Sequence, residues 1–334
     1  MKISIIGLGM ALAPHMASIN DLLGRVTLAH AVARSAERRD AFEAEYRRAA
    51  SDDLNTAISD PAVDAVILLT PPDSHRELGT RILQGGKHLI IEKPAGLTTD
   101  DTRALAALAK DKGLLVAPVL QHRFRPSVRA AAQLVGSGEL GMLCGATCLI
   151  PWWRSQSYYD EPGRGSFARD GGGVLLTQAI HTLDVLRALS GGMRIKAAQV
   201  ATTALHRMEG EDVVCALAEF GPGAAPGTIM ATTAGYPGFP ETMTLIFEHA
   251  TLRLGEAKMQ AFYHDGRVNE VRDAGGGGNA DPMAFHHTDH TTLLSAFCDA
   301  VEGRAALQVD LTDVVRTREL IDQILAFGNT ELQG

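Results

Sequence analysis

The chain has 334 residues, a length that predicts two domains, each with its own hydrophobic core. Hydrophobic residues make up 46% of the chain and charged residues 21%, and the formal net charge is -8 at pH 7. Because the charge is acidic and no basic run is present, we expect no nucleic-acid partner. No window approaches a membrane span, so we expect no membrane partner either.

The four cysteines, Cys144, Cys148, Cys215 and Cys298, form no CxxC pair. We interpret them as reduced cysteines that act as small apolar side chains. They are too sparse for a zinc site, because such a site needs clustered thiolates or imidazoles. The N-terminal MKISIIGLGM is too short for a signal-peptide core. We therefore expect a cytoplasmic protein.

Short apolar runs alternate with segments of helical period over the first 120 residues or so. The runs are residues 3–6, 26–32, 65–69, 88–91 and 114–117. Continuous runs of Val, Ile and Leu are typical of strands buried on both faces, as in a parallel sheet of βαβ units. The sequence therefore predicts a doubly wound Rossmann domain over residues 1–121, with ligands at the carboxyl ends of its strands.

The pattern changes after Pro126. Helical text at residues 127–135 and 174–189 flanks a loop rich in Trp, Tyr and Gly at 152–173. Alternating runs follow at 213–220, 228–234 and 242–247, then a glycine-rich stretch at 274–279 and helical text at 291–301 and 311–327. This succession predicts a C-terminal α+β domain over residues 122–334, with a large, mostly antiparallel open sheet and a mobile loop at 274–279.

A glycine turn follows the first predicted strand and opens a helix. It reads Gly7-Leu8-Gly9-Met10-Ala11-Leu12. Glycines let the backbone turn sharply and approach a pyrophosphate, which the N–H groups of the helix N-terminus then bind. GxG turns also occur without ligands, but this context predicts dinucleotide binding by Gly7, Gly9, Met10 and Ala11.

The end of the second strand bears on which dinucleotide binds. Chains that bind NAD carry an acidic residue there, whereas this one has Ala33 followed by Arg34, Ser35 and Arg38, which can donate to a 2′-phosphate. NADP is therefore favoured, with NAD possible. The alternative is that the arginines form a solvated first helical turn beside Glu37.

The stretch HLIIEKPAG places Glu92 and Lys93 directly after a buried strand. Charges at that edge have no structural need to exist, and the nicotinamide end of a dinucleotide would reach it. Oxidation of an alcohol by hydride transfer also requires removal of the hydroxyl proton, which a partly desolvated lysine can accept. Pro94 would hold the turn, and a cis peptide bond is one form that such turns take.

These residues resemble the glucose-fructose oxidoreductase, inositol dehydrogenase and rhizopine catabolism family (Gfo/Idh/MocA), over nearly the whole chain. The motifs are GLGM at 7–10, TPPDSH at 70–75, GGKHLIIEKP at 85–94, HRFRP at 122–126 and GGGVLLTQAIHTLD at 171–184. The resemblance implies an N-terminal NAD(P)-binding Rossmann domain. It also implies a C-terminal domain that binds substrate and builds homodimers or homotetramers through its open sheet.

By this resemblance Lys93 is a catalytic residue that also contacts the nicotinamide ribose, Glu92 orients it, and His181 is the second catalytic residue. Residues expected to line the cofactor are Thr70, Pro71, His75 and Gln121. Many members carry aspartate where this chain has Thr177, which cannot relay a proton as a carboxylate would. That difference weakens a plain inositol as the substrate.

The helical spacing of residues in this segment supports a functional role for His181 independently of the resemblance. Thr177, His181 and Asp184 stand at i, i+4 and i+7, which places them on one helix face, and Gln178 lies next to that stripe. Glycines at 171–173 allow close backbone approach just before it. The alternative is a core histidine that binds a backbone carbonyl.

The loop PWWRSQSYYDEPGRGSF at residues 151–167 can supply aromatic faces for sugar rings and arginines for carboxylate or phosphate. Its text is similar to the subgroup that contains dehydrogenases of nucleotide-linked sugars. The predicted substrate-binding residues are Lys93, Arg123, Trp153, Arg154, Tyr159, Arg164, Thr177, Gln178 and His181. Packing of the aromatic residues in an oligomer is the alternative.

The histidines of HHTDH at 286–290 are one helical turn apart only if the segment is helical. We interpret it as a loop that leads into a helix, with Asp289 as its cap, and expect no metal site.

Together these patterns predict an NAD(P)-dependent oxidoreductase that transfers a hydride between nicotinamide and a secondary alcohol or ketone of a sugar, sugar derivative or cyclic polyol. One alternative is a dihydrodiol dehydrogenase acting on a cyclic diol acid that Arg154 or Arg164 anchors. The other is a non-catalytic, cofactor-binding regulator, which the presence of both Lys93 and His181 disfavours.

Overall fold

The computed structural model describes residues 1–273 and 287–330. The predicted loop at 274–279 and His286 lie outside the described residues. The chain divides into two compact units. The first comprises Met1–Leu120 and His287–Val315, and the second comprises Gln121–His286 and Arg316–Gly334.

A five-stranded parallel sheet forms the centre of the first unit, in the order β2-β1-β3-β4-β5. Its strands are β1 (Lys2–Ile6), β2 (Thr27–Val32), β3 (Ala65–Leu68), β4 (His88–Ile91) and β5 (Val116–Pro118). The intervening helices are α1 (Leu12–Asp21), α2 (Ala36–Tyr46), α3 (Leu54–Ser59), α4 (His75–Gln84) and α5 (Thr99–Lys112). The strands at the centre are buried on both faces, which is why they read as unbroken apolar runs. The predicted Rossmann fold is confirmed.

An eight-stranded sheet forms the second unit, in the order β13-β12-β11-β10-β6-β9-β8-β7. Its strands are β6 (Leu143–Pro151), β7 (Met193–Ala201), β8 (Val213–Phe220), β9 (Ala225–Thr232), β10 (Thr242–Phe247), β11 (Ala250–Gly255), β12 (Lys258–Tyr263) and β13 (Val268–Arg272). All pairs are antiparallel except β6 with β9, so the predicted mostly antiparallel sheet is confirmed.

Helices cover one face of this sheet. They include α6 (Pro126–Ser137) and α8 (Ile180–Ser190), which a π-helical turn (Leu175–Ala179) precedes. The short α7 (Gln156–Tyr159) lies in the loop after β6. Residues of α6 and α8 share one hydrophobic core with the inward side chains of the strands. The outward side chains alternate with them, and several large apolar ones stay exposed, as the period of two in a strand requires.

The C-terminal helices are α9 (Thr288–Val301) and α10 (Leu311–Thr330). The sequence prediction assigned everything after residue 121 to the second domain, whereas α9 packs in the first unit against α1. Arg25 binds Asp299 on α9 at 2.7 Å and Glu302, the C-cap of α9, at 3.0 Å, and Phe297 is fully buried. A helical period shows that a helix has an apolar face but not which core receives it.

No helix in the described part of the chain is long and apolar enough to cross a membrane.

Candidate active site

The glycine turn at the carboxyl end of β1 requires its glycines. Gly7 has φ of +103°, and a Cβ there would lie 2.7 Å from the carbonyl carbon of Leu69. A Cβ at Gly9 would lie 3.1 Å from Nη1 of Arg38. Gly7 therefore packs its backbone directly against the residue that follows β3, and Met10, 60% exposed, and Ala11 lead from the turn into α1.

The residues predicted to bind a 2′-phosphate differ in their surroundings. The Arg38 guanidinium lies beside the glycine turn, and Arg34 is exposed. Ser35 instead is the N-cap of α2: it accepts from the Arg38 N–H at 3.2 Å and donates to Glu37 at 2.6 Å. Ser35 is thus engaged within the first turn of α2, and the roles of Arg34, Ser35 and Arg38 toward a 2′-phosphate stay predictions.

The Glu92-Lys93-Pro94 turn lies at the carboxyl end of β4, and the Lys93–Pro94 peptide bond is cis. Glu92 is fixed at both ends: its N–H donates to the Leu68 carbonyl at 3.0 Å, and Oε2 accepts from the Lys93 N–H at 3.1 Å. The carboxylate therefore folds back over the backbone of Lys93 and holds the turn that carries the lysine.

His75 corrects one prediction. It was expected to line the cofactor, but its ring is fully buried, with Nδ1 2.8 Å from the Pro94 carbonyl and Nε2 2.7 Å from the Thr70 carbonyl. It braces the turns after β3 and β4 from inside. Thr70 and Pro71 remain half-buried at the end of β3, where Thr70 also accepts from the Ser74 hydroxyl at 2.7 Å.

Two histidines that sequence reasoning left unassigned surround Glu92. His15 on α1 donates to Glu92 Oε1 at 3.2 Å, and the edge of the His290 ring meets the His15 ring with the centroids 5.2 Å apart. Burial alone would raise the pKa of Glu92, but the His15 hydrogen bond and the charges of His15, Lys93 and His290 outweigh it and lower that pKa. Burial, with repulsion from His15, lowers the pKa of His290 to about 3.

The possible metal ligands of His15, Glu92 and His290 lie within 4.8 Å of one another. Zinc bonds of about 2.0–2.2 Å would bring tetrahedral ligands to roughly 3.4 Å from one another. The 3.2 Å contact already serves as the His15–Glu92 hydrogen bond. We therefore interpret the cluster as a hydrogen-bonded brace. His290 itself lies on α9, whose N-cap is His287 and not Asp289, so the predicted loop and cap are corrected here.

In the second unit, buried Glu211 fixes the start of the segment that carries His181. Its carboxylate accepts from the N–H groups of Gly173 and Leu175, both at 3.0 Å, and its own carbonyl accepts from Val174 at 2.7 Å. A Cβ at Gly173 would lie 1.9 Å from the Glu211 carbonyl oxygen, which explains that glycine. Sequence reasoning missed Glu211 because nothing in its local text distinguishes it from a surface acid.

The segment was predicted as one continuous helix from 174 to 189, whereas it begins with a π-helical turn. The Thr177 hydroxyl donates to the Gly173 carbonyl at 2.7 Å and also contacts Gln178. Buried Gln178 donates to the Tyr158 hydroxyl at 3.4 Å. Thr177 is half-buried and Gln178 is 4% exposed, so both are held in place by neighbours within the unit.

The polar stripe of the sequence prediction divides into two parts. His181 is 6% exposed, and its ring packs against the ring of His122, with the centroids 4.7 Å apart. Asp184 is fully buried and binds Arg123 in bidentate fashion, with Arg187 at 3.2 Å and the Thr317 hydroxyl at 2.9 Å. Arg123, predicted to bind substrate, is thus neutralised by Asp184 and ties α8 to its neighbours.

Gln121, predicted to contact the cofactor, opens the 3-10 turn Gln121–Phe124, and its Oε1 is buried without a hydrogen-bond partner among the described residues.

Trp153 was predicted to bind substrate. Its ring meets the ring of Tyr236 edge on, with the centroids 5.4 Å apart.

Two predicted substrate ligands in the aromatic loop are interior residues. Arg154, 5% exposed, donates to the Trp153 carbonyl at 2.7 Å and lies over the Trp152 ring. Tyr159, 6% exposed, bonds the Thr233 hydroxyl at 2.7 Å, and burial raises its pKa. This corrects their assignment: their packing lies within the unit.

Arg164 is also engaged. Its guanidinium binds Glu161, donates to the Tyr158 hydroxyl at 2.9 Å and lies over the Tyr158 ring at 4.4 Å. The positive charge of Arg164 is therefore paired with the carboxylate of Glu161 within the same loop.

Comparisons with known proteins agree with this fold. A family model described as an oxidoreductase family with an NAD-binding Rossmann fold matches residues 1–119. A second, the GFO/IDH/MocA C-terminal domain, matches residues 128–253. The two together account for most of the chain.

Two curated relatives and one solved structure illustrate the similarity. The scyllo-inositol 2-dehydrogenase (NAD(+)) of Bacillus subtilis is 26% identical, over 42% of this chain and 39% of its own length. The 1-carboxy-3-chloro-3,4-dihydroxycyclohexa-1,5-diene dehydrogenase of Comamonas testosteroni is 30% identical, over 58% of this chain and 48% of its own length. The chain thus spans less than half the length of either. The WlbA dehydrogenase of Bordetella pertussis, in complex with NADH and UDP-GlcNAcA, is 24% identical with a TM-score of 0.84, over 98% of this chain and 96% of that one.

Proposed function

We propose, from the premise that this chain belongs to the Gfo/Idh/MocA family of NAD-binding oxidoreductases, that it is an NADP(H)-preferring dehydrogenase of a sugar-like or cyclic polyol substrate. It would exchange a hydride between the nicotinamide and a secondary alcohol or ketone. Family membership supports the oxidoreductase activity, and the residues of the two units support the finer points.

One observation carries the proposal: the glycine turn and Lys93 stand at the carboxyl ends of β1 and β4, in one sheet with only β3 between them. Strands in a sheet are about 4.8 Å apart, so these two ends are roughly 10 Å apart. A dinucleotide with its pyrophosphate at the glycine turn would extend along this edge toward Lys93.

In the oxidative direction the carbon-bound hydrogen leaves as hydride to the nicotinamide, and the hydroxyl proton needs an acceptor. Lys93 is our proposed acceptor, held by the Glu92 carboxylate through its own backbone N–H. His181 is the second residue that we propose for proton transfer. It lies in the second unit on a segment that Glu211 fixes.

The cofactor preference gives the first experiment. We expect NADPH to bind more tightly than NADH when nicotinamide fluorescence is followed during titration, because Arg38 lies at the glycine turn and Ala33 replaces the usual acid. An Arg38→Leu variant should weaken NADPH binding about 10-fold or more and change NADH binding less than about 3-fold, as expected for one charge-assisted hydrogen bond. Arg48→Gln, on the same unit, is the matched control. Tighter NADH binding by the wild type would contradict the NADP preference.

Two of the arginines predicted to bind substrate favour a neutral substrate. Arg123 is paired with Asp184 and Arg164 with Glu161, so neither charge is left over for a carboxylate. We propose a neutral sugar or polyol as the substrate class. The second candidate, a cyclic diol acid, is favoured by the relative from Comamonas testosteroni. A screen with NADP⁺ of neutral polyols against cyclic diol acids separates the two.

We propose that the outward face of the eight-stranded sheet pairs with a second copy of the chain. Leu149, Leu217, Ile246 and Phe262 are each between 39% and 56% exposed there, on different strands. Exposed apolar residues gathered on one face are typical of a protein interface. Light scattering should show a dimer or tetramer for the wild type and a smaller species for Leu217→Glu. The control, Leu205→Glu, changes a leucine that is 55% exposed but lies outside the strands. A monomeric wild type would refute the pairing.

A further inference from the structure

The ring that packs against His181 is held in one protonation state. His122 is 3% exposed, and its Nε2 lies 2.6 Å from Nη2 of Arg125. A guanidinium stays protonated and can only donate, so Nε2 of His122 has to accept and carries no proton. The proton of the ring is then on Nδ1, which lies 3.7 Å from Oε1 of Glu241.

The same arginine also fixes the carboxylate. Arg125 Nη1 donates to Glu241 Oε1 at 3.1 Å, and the hydroxyl of Thr182, the neighbour of His181, donates to the other carboxylate oxygen. One positive charge and one negative charge are thus already paired around a neutral imidazole. The buried thiol of Cys148 also lies near Glu241, and burial raises the pKa of this thiol, which keeps it neutral.

The rings of His122 and His181 pack face against face. Their planes are 31° apart and their centroids are 4.7 Å apart. At this distance a charged His122 would oppose a proton on His181 and lower the pKa of His181. A neutral His122 imposes no such penalty.

We propose that Arg125 locks His122 as the neutral Nδ1–H tautomer, and that His122 is a positioning residue which leaves His181 as the imidazole of the pair that takes the proton. This inference rests on the proposed function for its kinetic consequence. The tautomer itself does not depend on any activity.

The test combines two readouts on the full-length protein. Histidine ¹⁵N chemical shifts, assigned with His122→Phe and His181→Gln variants, should show neutral His122 with its proton on Nδ1 from pH 5.5 to 8.5. In Arg125→Met, Nε2 loses its donor, His122 can protonate against Glu241, and the pKa of His181 should fall by about one unit or more. Arg129→Met, which removes an exposed arginine one helical turn away, should leave both histidines as in the wild type.

The expected fall in the pKa of His181 predicts a change in the pH dependence of the reaction. If His181 must be deprotonated to accept the hydroxyl proton, the acid limb of kcat/KM in alcohol oxidation moves to lower pH in Arg125→Met. In His122→Phe the acid limb stays at the wild-type pH, because the phenylalanine ring is uncharged, as the neutral His122 ring is in the wild type. This second variant also serves if Arg125→Met does not fold.

A protonated His122, or one with its proton on Nε2, would overturn the inference. So would an Arg125→Met protein that folds and leaves the pKa of His181 unchanged. In His122→Phe, a shifted acid limb would overturn it as well. If instead no polyol or sugar is turned over, the proposed function fails while the chemical shifts still decide the state of His122.

Discussion

Replacement of Lys93 by methionine is expected to lower kcat/KM about 10³-fold, since a positioned acid or base contributes 10²–10⁴-fold. Methionine keeps much of the length of the side chain and removes its proton-transfer group. The Glu92–Lys93 backbone contact should survive, because its donor is the backbone N–H of Lys93. Cofactor affinity should therefore change only a few-fold. The assay is steady-state kinetics on the polyol found in the screen, together with NADPH titration.

Lys112→Met is the matched control for this variant, because Lys112 is exposed at the end of α5. It should retain wild-type kinetics. Turnover by Lys93→Met within 10-fold of the wild type would remove Lys93 from the mechanism. A Lys93→Met protein that no longer binds NADPH would instead show that the lysine serves the cofactor more than the proton.

Replacement of Asp184 by asparagine is expected to cost about 3–5 kcal/mol in the free energy of unfolding. The fully buried carboxylate accepts from Arg123, Arg187 and Thr317, and an amide would remove the negative charge that both guanidinium groups contact. Urea denaturation followed by circular dichroism measures the change.

Asp265→Asn provides the comparison. Its partner Arg267 is also exposed, so water screens this ion pair and Asp265→Asn is expected to change the free energy of unfolding much less than Asp184→Asn. Equal losses for Asp184→Asn and Asp265→Asn would show that burial of the Asp184 network has no special energetic weight.

Sequence patterns were sufficient where the physical signal is local. The parallel strands were visible because burial on both faces produces unbroken apolar runs, and the glycine turn because only glycine fits Gly7 at a φ of +103°. The bounds of β4, β8 and β10 match the predicted ones, and so does the start of α10. These features depend on residues within a few positions of one another.

The features that the sequence did not predict depend on contacts between residues far apart along the chain. His75 and Tyr159 carry chemical groups typical of binding sites, and nothing local shows that they bind the Pro94 carbonyl and the Thr233 hydroxyl in the interior. The π-helical turn before α8 likewise depends on Glu211, which lies more than thirty residues away. The catalytic roles of Lys93 and His181 stay predictions until the variants are measured.

The return of α9 to the first unit has a consequence for how the protein is made. A ribosome completes β1 to β5 early, but Phe297, Asp299 and Glu302 emerge only after the whole eight-stranded sheet has been translated. Until then α1 lacks the helix that covers it, and Arg25 has neither of its acidic partners. A nascent chain released after the second sheet would therefore expose apolar surface on its first unit, the state that chaperones bind. An expressed fragment that joins residues 1–120 to 287–315 should be more soluble than residues 1–120 alone.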